Sequence, residues 1–346
     1  MGVAAAAAPP LPAPRGPVSA RLVERLAEPA GERAPTPALQ AGNTEPCETG
    51  DPLGGDHQLA LYICYELHYR GFADVDARWE WDPSLLALRA RLEERFLAAM
   101  RAELGPVTPL PEQLEALLVE PATGSGPSYF LLEHGERWQA REYVAQRSLY
   151  HLKEADPQAF AIPRLHGRSQ AALVAIEFDE YGAGHPGRVH SRLFAEMMRD
   201  LDLDPRYGAY VEAAPAEALA VVNLMSLFGL HREHRGALVG QFAGVEITSS
   251  PGSRRLTAAL ERLGAGEAGT RFYREHIEAD AVHEQLVRRE VIGALLQDEP
   301  EIEADIAFGL AASDLAERRF GEHAVAHWQA GRSSLRIALP GAAATG

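Results

Sequence analysis

Hydrophobic residues recur at helical spacing along most of the chain from about residue 58 onward. In the tract PSLLALRARLEERFLAAMRAEL, Leu85, Leu88 and Leu92 follow one another at intervals of three and four, which is the period of one helix face. A proline in the first turn and Gly105-Pro106 after the tract are typical helix boundaries. Runs of alternating hydrophobic and polar residues bounded by turn-forming residue pairs are typical of β-hairpins, and such runs are almost absent. The sequence therefore predicts an all-α fold.

Further helices are predicted in the rest of the chain. They comprise residues 141–154, the segments GRSQAALVAIEFDEYG, HSRLFAEMMRDLDL and SRRLTAALERL, a long helix that carries His276, and a last helix over about 302–327. The apolar tract from PAEALAVV to VEITSS predicts a core helix, with breaks or close helix contacts at Gly229 and Gly236. We expect SRRLTAALERL to be a separate short helix.

Length and composition predict one large domain with flanking segments. The chain has 346 residues and 46% hydrophobic content, which is enough for a large core. Residues 1–50 are rich in Ala, Pro and Gly and predict a disordered arm. Residues 51–330 are expected to form a single helical domain, and residues 331–346 a C-terminal tail. No internal repeat is visible.

Charge and cysteine content exclude several classes of protein. Lys and Arg number 33 against 49 Asp and Glu, and the formal charge of −16 repels nucleic acid and anionic membranes. Only Cys47 and Cys64 are present, so a disulfide framework or a cysteine-rich metal site is not expected. The start lacks the pattern of a signal peptide, and no apolar run reaches the length of a membrane span. We expect a cytoplasmic protein without nucleic-acid or membrane partners.

The motif His276-x3-Asp280-x2-His283 places three metal-competent side chains on one face of a predicted helix. Two imidazoles and a carboxylate are the ligand set of non-heme Fe(II) sites that keep positions open for dioxygen and substrate. The alternative interpretation is a solvated charged helix face, because charged residues crowd this segment. A single helix cannot surround a metal, so a site also needs ligands from other helices.

Glu154, Glu180 and His190 are candidates for those further ligands. On an unbroken helix Glu180 and His190 would lie about 15 Å apart along the axis and could not share a metal. Glycines and a proline between them do not suit a regular helix, so the backbone is expected to break there and could return both side chains to one centre.

Neighbouring acids compete for two of these roles. Asp156 is an alternative to Glu154, and Glu177 and Asp179 are alternatives to Glu180. A further acid, Glu246, follows a strongly apolar run, where an unpaired carboxylate is expensive to bury. This side chain is therefore expected either to reach solvent or to bind metal.

Four segments, YHLKEADPQAFAIPRL, EFDEYGAGHPGRVHSRLF, VEITSS and FYREHIEADAVHEQL, resemble the heme-oxygenase-like diiron oxidases and oxygenases, often labelled iron-containing redox enzymes. The resemblance covers roughly residues 58–330 and implies a heme-oxygenase-like helical bundle with additional N-terminal helices. The metal ligands that it implies are Glu154, Glu180, His190, Glu246, His276, Asp280 and His283. It assigns no catalytic residue beyond these ligands.

The number of acids in this set suits two metals. Two Fe(II) ions carry a charge of +4, which Glu154, Glu180 and Asp280 nearly cancel and which Glu246, as a fourth acid, would cancel in full. The resemblance implies iron, or manganese in its place, with O2 as co-substrate and a small organic substrate. An amine or amino acid is favoured, undergoing N-oxygenation, desaturation or oxidative C–C cleavage. The resemblance is also compatible with an electron donor or reductase as a partner, and with a homodimer.

Three alternatives remain open at this point. A metal-free, thiaminase-like hydrolase on the same bundle would need a nucleophilic cysteine, for which Cys64 is the helix-borne candidate. A heme-binding relative would need a proximal histidine early in the helical domain, where His57 and His68 are available. A non-catalytic helical scaffold would need neither.

Overall fold

The computed structural model describes residues 8–31, 50–120 and 124–340, apart from the side chains of residues 280 and 281. Every regular element in these ranges is helical, which confirms the all-α prediction. The α-helices are α1 (Pro17–Leu26), α2 (Gly55–Glu66), α3 (Pro83–Leu104), α4 (Leu110–Leu117), α5 (Pro127–Glu133), α6 (Arg137–His151), α7 (Asp156–Ala159), α8 (Gly167–Glu180), α9 (His190–Asp200), α10 (Ala216–Leu230), α11 (Arg235–Arg262), α12 (Glu267–Gln285), α13 (Gly293–Asp298) and α14 (Glu303–Gln329). Short 3-10 helices span Ala77–Trp81, Ile162–Arg164, Arg232–His234 and Pro300–Ile302, and a π-helical segment spans Leu286–Ile292.

Helix boundaries follow the local sequence, as α3 illustrates. The Asp82 side chain accepts hydrogen bonds from the backbone N–H groups of Ser84 and Leu85 at 3.0 and 2.9 Å, which satisfies donors that a helix start leaves unpaired. Pro83 occupies the first position, and Gly105 ends the helix with a φ of 62°. These boundaries agree with the prediction for this helix.

The prediction of a disordered arm over residues 1–50 is wrong for residues 8–31. Helix α1 buries Leu22 and Leu26 and packs against α2. Asp56, in the first turn of α2, accepts hydrogen bonds from two backbone N–H groups in the first turn of α1, at 2.9 and 2.8 Å. The Ala- and Pro-rich composition obscured a short apolar helix face. Residues 1–7 and 32–49 of the predicted arm lie outside the described residues.

The predicted tail over residues 331–346 is packed against the helices as far as it is described. Leu335 and Leu339 are buried. The Glu142 carboxylate in α6 accepts a hydrogen bond from the Ser334 backbone N–H at 2.9 Å. Residues 341–346 lie outside the described residues.

Helices α10 and α11 form the centre of the molecule. α10 is buried along nearly its whole length and packs against α2, α6, α11 and α14. The chain breaks between α10 and α11, close to the predicted Gly229 and Gly236. The separate helix predicted for SRRLTAALERL is wrong, because α11 continues through Pro251 to Arg262. Proline removes one backbone donor, and the close packing of α12 and α14 along α11 outweighs that loss.

One side of α11 faces the helices that carry the candidate ligands. α11 packs against α12, α12 against α9, and α8 against the π-helical segment that follows α12. Buried hydrophobic residues from Val18 to Leu339 form one connected core around this arrangement. Among the described residues, no helix is both long and apolar enough to cross a membrane.

Candidate metal centre

Glu180 and His190 face each other across a break in the backbone. Glu180 is the last residue of α8, and His190 is the first residue of α9. In the turn between them Gly182 has a φ of 85°, and a Cβ at this position would lie 2.6 Å from the carbonyl oxygen of His185. Only glycine fits this turn without strain. The predicted break is therefore confirmed, and it brings Nδ1 of His190 to 2.7 Å from Oε2 of Glu180.

Two further side chains complete a first ligand group. Glu154 lies in the turn between α6 and α7, and His276 lies on α12. The Oε1 atom of Glu154 is 3.6 Å from Nε2 of His276, and its Oε2 atom is 3.9 Å from Nδ1 of His190. With Glu180, these residues place one potential ligand atom each within 4.8 Å of one another. Four segments that are distant in sequence therefore meet at one point.

A second ligand group shares Glu180 with the first. It consists of Glu180, Glu246 and His283, whose ligand atoms also lie within 4.8 Å of one another. Nδ1 of His283 is 3.1 Å from Oε2 of Glu246 and 4.0 Å from Oε1 of Glu180. The two oxygens of Glu180 thus face different histidines. A carboxylate placed in this way can bridge two cations.

The burial of these side chains provides a test of whether metal fits. All six are buried. Oε2 of Glu154 has no hydrogen-bond partner among the described residues, whereas Oε2 of Glu180 and Nδ1 of His190, which lie 2.7 Å apart, form an ion pair when the imidazole is protonated. Buried polar atoms without partners cost free energy. A divalent cation would supply the missing interaction, and mixed carboxylate and imidazole donors suit Fe(II) or Mn(II).

Hydrogen bonds on the outer side orient two of the histidines. Nδ1–H of His276 donates to the carbonyl oxygen of Phe272 at 2.7 Å, which leaves the lone pair of Nε2 facing Glu154. Nε2 of His283 lies 3.2 Å from Oδ2 of Asp179, so its Nδ1 lone pair faces Glu246 and Glu180. Partners of this kind fix the tautomer and ring orientation of metal-ligating histidines.

Asp280, the remaining predicted ligand, lies on α12 between His276 and His283. The placement of its side chain lies outside the described part of the structure. Its role as a ligand stays a prediction from the sequence. The helical spacing puts it on the same face as the two histidines.

The charges of the site shift the pKa values of its members in the metal-free protein. Burial acts to raise the pKa of Glu154, but the neighbouring His151 and His276 outweigh it and hold this pKa well below its usual range. Burial acts to lower the pKa of His190, but Glu180 outweighs it and raises this pKa. The site therefore favours the ionised form of Glu154, which binds metal, whereas His190 must lose a proton before it can bind metal.

The sequence interpretation missed residues that support the site. His151 was not selected, yet its Nδ1 is 2.6 Å from Oε1 of Glu154 and orients that carboxylate. The sequence feature that points to His151 is its position three residues before Glu154. Asp179 was considered only as a rival of Glu180, whereas its contact is with His283.

A cavity of about 40 Å³ adjoins the ligands. Glu154, Glu180, Glu246 and His276 line one part of it. The remaining wall consists of Tyr150, His151, Ala155, Gln158, Glu177, Phe242, Val245 and Ser249. Both ligand groups are therefore accessible from one enclosed space.

The structure gives no support to the alternative chemistries. Burial raises the pKa of the Cys64 thiol to about 12, which makes it a poor nucleophile, and Cys64 does not line the cavity. His57 lies 2.9 Å from the carbonyl oxygen of Leu92, and His68 lies 3.2 Å from Glu80. Neither histidine is among the residues that line the cavity.

Comparison with known proteins gives one informative match. No curated protein matches the chain. The protein family described as iron-containing redox enzyme matches residues 141–318, just over half of the chain. The matched region contains all seven predicted ligands, and the family assigns the chain to the iron-dependent oxidoreductases in general terms. On this match, and with a buried cluster of acids and histidines that could hold metal, the chain belongs to the family of iron-containing redox enzymes.

Proposed function

We propose that the protein is a non-heme diiron oxidase or oxygenase that uses dioxygen to oxidise a small amine or amino acid. The observation that carries this proposal is the position of Glu180, which belongs to two buried ligand groups at once. In a site for a single iron, the second group of Glu246 and His283 would have no purpose. N-oxygenation, desaturation and oxidative C–C cleavage are the reactions that we consider.

The charges of the ligands support two metal ions. The acids are Glu154, Glu180 and Glu246, with Asp280 as the fourth on the basis of its position. Four negative charges would neutralise two Fe(II) ions, and a neutral centre is much less costly to bury than isolated charges. Bound ferrous iron would supply electrons to dioxygen, chemistry that protein side chains do not provide.

The chain's own residues would then hold, orient and enclose this centre. His151 and Asp179 fix the donors Glu154 and His283 from outside. The burial of the ligand side chains keeps bulk water from surrounding them, which strengthens electrostatic interactions there. We also propose a cytoplasmic location and an external electron donor that returns the iron to the ferrous state between turnovers.

Anaerobic loading of the purified chain with Fe(II) tests this function. We expect about two iron ions per chain after removal of excess metal, and consumption of dioxygen when air is admitted. Dioxygen consumption should increase when a suitable primary amine is added. About one iron per chain or fewer would contradict the diiron proposal.

Two variants separate a dimetal centre from a single iron site. His283→Ala removes a member of the second group only and should leave about one iron per chain. Glu180→Ala removes the shared carboxylate and should lower the occupancy of both positions. Equal iron contents in the two variants and the parent chain would show that iron binds elsewhere. Glu322→Gln, an exposed substitution on α14, is the control for loss of one carboxylate.

A further inference from the structure

Two buried polar side chains line the cavity without belonging to either ligand group. Glu177 on α8 is 2% exposed, and Gln158 on α7 is 1% exposed. Among the described residues, neither oxygen of Glu177 and neither the oxygen nor the nitrogen of the Gln158 amide has a hydrogen-bond partner. Both side chains border the space that Glu154 and His276 also line. They are placed to meet a molecule that comes next to the metal ligands.

Leaving these groups unpaired is costly. A buried polar group without a partner costs about 1–3 kcal/mol, and a charged one costs more. An ionised carboxylate is a pure acceptor, while an amide both accepts and donates. The occupant that satisfies the oxygens of Glu177 and Gln158 must therefore carry several N–H or O–H donors, while the amide nitrogen of Gln158 needs a separate acceptor.

The charge balance of the site distinguishes a cationic occupant next to Glu177 from an anionic one. Glu154, Glu180, Glu246 and Asp280 would neutralise two Fe(II) ions, so an ionised Glu177 would add a surplus negative charge at the edge of the centre and needs a cation beside it to stay ionised. A monocation beside Glu177 restores neutrality in a buried space, whereas an anionic head group would add repulsion. This step rests on the proposed diiron function.

We propose that Glu177 and Gln158 form the subsite that recognises a primary ammonium group of the substrate. The Glu177 carboxylate accepts one N–H of the ammonium, and the amide oxygen of Gln158 accepts another. Phe242 and Val245, which line the same cavity, contact the apolar part of the substrate. A cavity of about 40 Å³ has room for about three water-sized groups, so it takes the ammonium group and the first carbons of the substrate, and the rest of the substrate extends beyond it.

The position of the subsite also defines which end of the substrate reacts. The ammonium end enters the space that Glu154, Glu180 and His276 line, so the nitrogen and its neighbouring carbon lie closest to the metal ligands. Fatty acids, which would enter with a carboxylate, are disfavoured by Glu177. The subsite thus assigns the protein to amines rather than to carboxylic acids without an amino group.

Calorimetric titration with three small probes of equal length tests the subsite. The probes are n-butylamine, which is a cation at neutral pH, n-butanol and butyrate, each added to the anaerobic Fe(II)-loaded chain and to the metal-free chain. We expect butylammonium to bind at least about tenfold more tightly than butanol, because a hydrogen bond to a charged group is worth about 1.5–3 kcal/mol. Butyrate should bind more weakly than butanol.

Variants assign the selectivity to the two residues. Glu177→Gln keeps the size of the side chain and should abolish the preference for butylammonium over butanol. Gln158→Leu should reduce the affinity for butylammonium about threefold to tenfold. Glu322→Gln, at an exposed position on α14, should bind all three probes as the parent chain does.

The iron content of each sample distinguishes the ways in which the proposal can fail. Equal binding of the three probes, or an unchanged preference in Glu177→Gln, overturns the subsite while leaving the diiron function intact. A loss of iron in Glu177→Gln makes Glu177 a ligand and also overturns the subsite. If the parent chain binds no iron, the diiron function fails, and the probe preference of the metal-free chain and its Glu177→Gln variant still decides the subsite when it is measured at about pH 9.5, where Glu177 is mostly ionised and butylamine is still a cation. Should Glu177→Gln fail to fold, the parent chain and Gln158→Leu carry the test.

Discussion

At the scale of single residues, the ring of His283 lies between two carboxylates that play different parts. Glu246 lies 3.1 Å from Nδ1, and Asp179 lies 3.2 Å from Nε2. Asp179 is half-exposed and Glu246 is buried. Because the half-exposed Asp179 accepts a hydrogen bond from Nε2–H, Nδ1 carries no proton and its lone pair is available to bind metal. Asp179 is thus a positioning residue.

Replacement of Asp179 should weaken metal binding without disturbing the fold. Asp179→Ala removes the acceptor that fixes the His283 ring, and we expect the metal affinity of the group formed by Glu180, Glu246 and His283 to fall about tenfold. Asp179→Asn keeps an acceptor but loses the charge, so its affinity should be intermediate. Fe(II) titration of the metal-free chain measures both, with the exposed Asp298→Asn as control. An unchanged affinity in Asp179→Ala would remove this role.

The buried acid Glu177 gives the metal-free chain a specific pH dependence. Burial first, and then the nearby Glu180, raise the pKa of Glu177 to about 9 from its ordinary 4.5. Between these two values the folded chain holds a proton that the unfolded chain has released, so the free energy of unfolding falls as pH rises. The slope contributed by this residue is at most about 1.4 kcal/mol per pH unit.

Glu177→Gln should remove that contribution. The difference in free energy of unfolding between the variant and the parent chain should therefore increase from pH 5.5 to pH 8, in favour of the variant. Urea unfolding at several pH values with a chelator present measures it. Parallel curves for the two proteins would show that Glu177 is not buried as an acid.

At the scale of helices, the sequence predicted some contacts of the site and not others. The break between Glu180 and His190 could be inferred because glycine and proline act locally on the backbone. The pairing of Glu246 with His283 could not, because it depends on how α11 packs against α12. For the same reason, the spacing of residues in the sequence does not predict that Asp179 contacts Nε2 of His283 while Glu180 faces Nδ1 of the same ring. The local sequence determines where helices end, whereas packing between helices that are distant in sequence determines the two ligand groups.

The contact between α11 and α14 depends on small residues on both helices. A Cβ on Gly240 would overlap the backbone carbonyl of Ile306, and one on Gly309 would overlap the backbone of Ala237. The backbones therefore approach as closely as glycine allows. This contact fixes α11, which carries Glu246.

Gly240→Ala should force the two helices apart. We expect the free energy of unfolding to fall by about 2–3 kcal/mol, and the iron content to fall because Glu246 is displaced. Gly252→Ala is the control on the same helix, since a Cβ there would meet open space, and it should stabilise the chain by about 0.5–1 kcal/mol. Both effects can be measured by urea unfolding. Equal stability of the two variants would contradict the close approach.

At the scale of the whole molecule, the fold extends beyond the part that matches the family. The match covers residues 141–318, whereas the connected core runs from Val18 to Leu339. The predicted division into arm, domain and tail followed composition, which does not reveal a few well-placed apolar residues. We propose that the described residues form one folding unit, which should unfold in a single cooperative transition.

The segment 331–340 provides the sharpest test of that unit, because it satisfies a fully buried acid. Glu142 is 0% exposed, and its Oε2 accepts hydrogen bonds from the backbone N–H and the hydroxyl of Ser334, both at 2.9 Å. A chain that ends at Ala330 loses these donors and the burial of Leu335. We expect its free energy of unfolding to fall by about 3 kcal/mol or more. A chain that ends at Pro340 is the control and should unfold as the full chain does.

A second substitution distinguishes the loss of hydrogen bonds to Glu142 from a simple loss of contact area, because the sign of its effect on the free energy of unfolding should differ between the two chains. In the full chain, Glu142→Gln should be destabilising, because the donors of Ser334 and the indole N–H of Trp328 lose a charged acceptor. In the chain that ends at Ala330 the same substitution should be stabilising, because a neutral amide is less costly to leave buried than a carboxylate that has lost the Ser334 donors. Urea unfolding of the four proteins measures this coupling. If Glu142→Gln has the same effect in both chains, the C-terminal segment does not satisfy the acid, and its contribution to the single folding unit is limited to its apolar side chains.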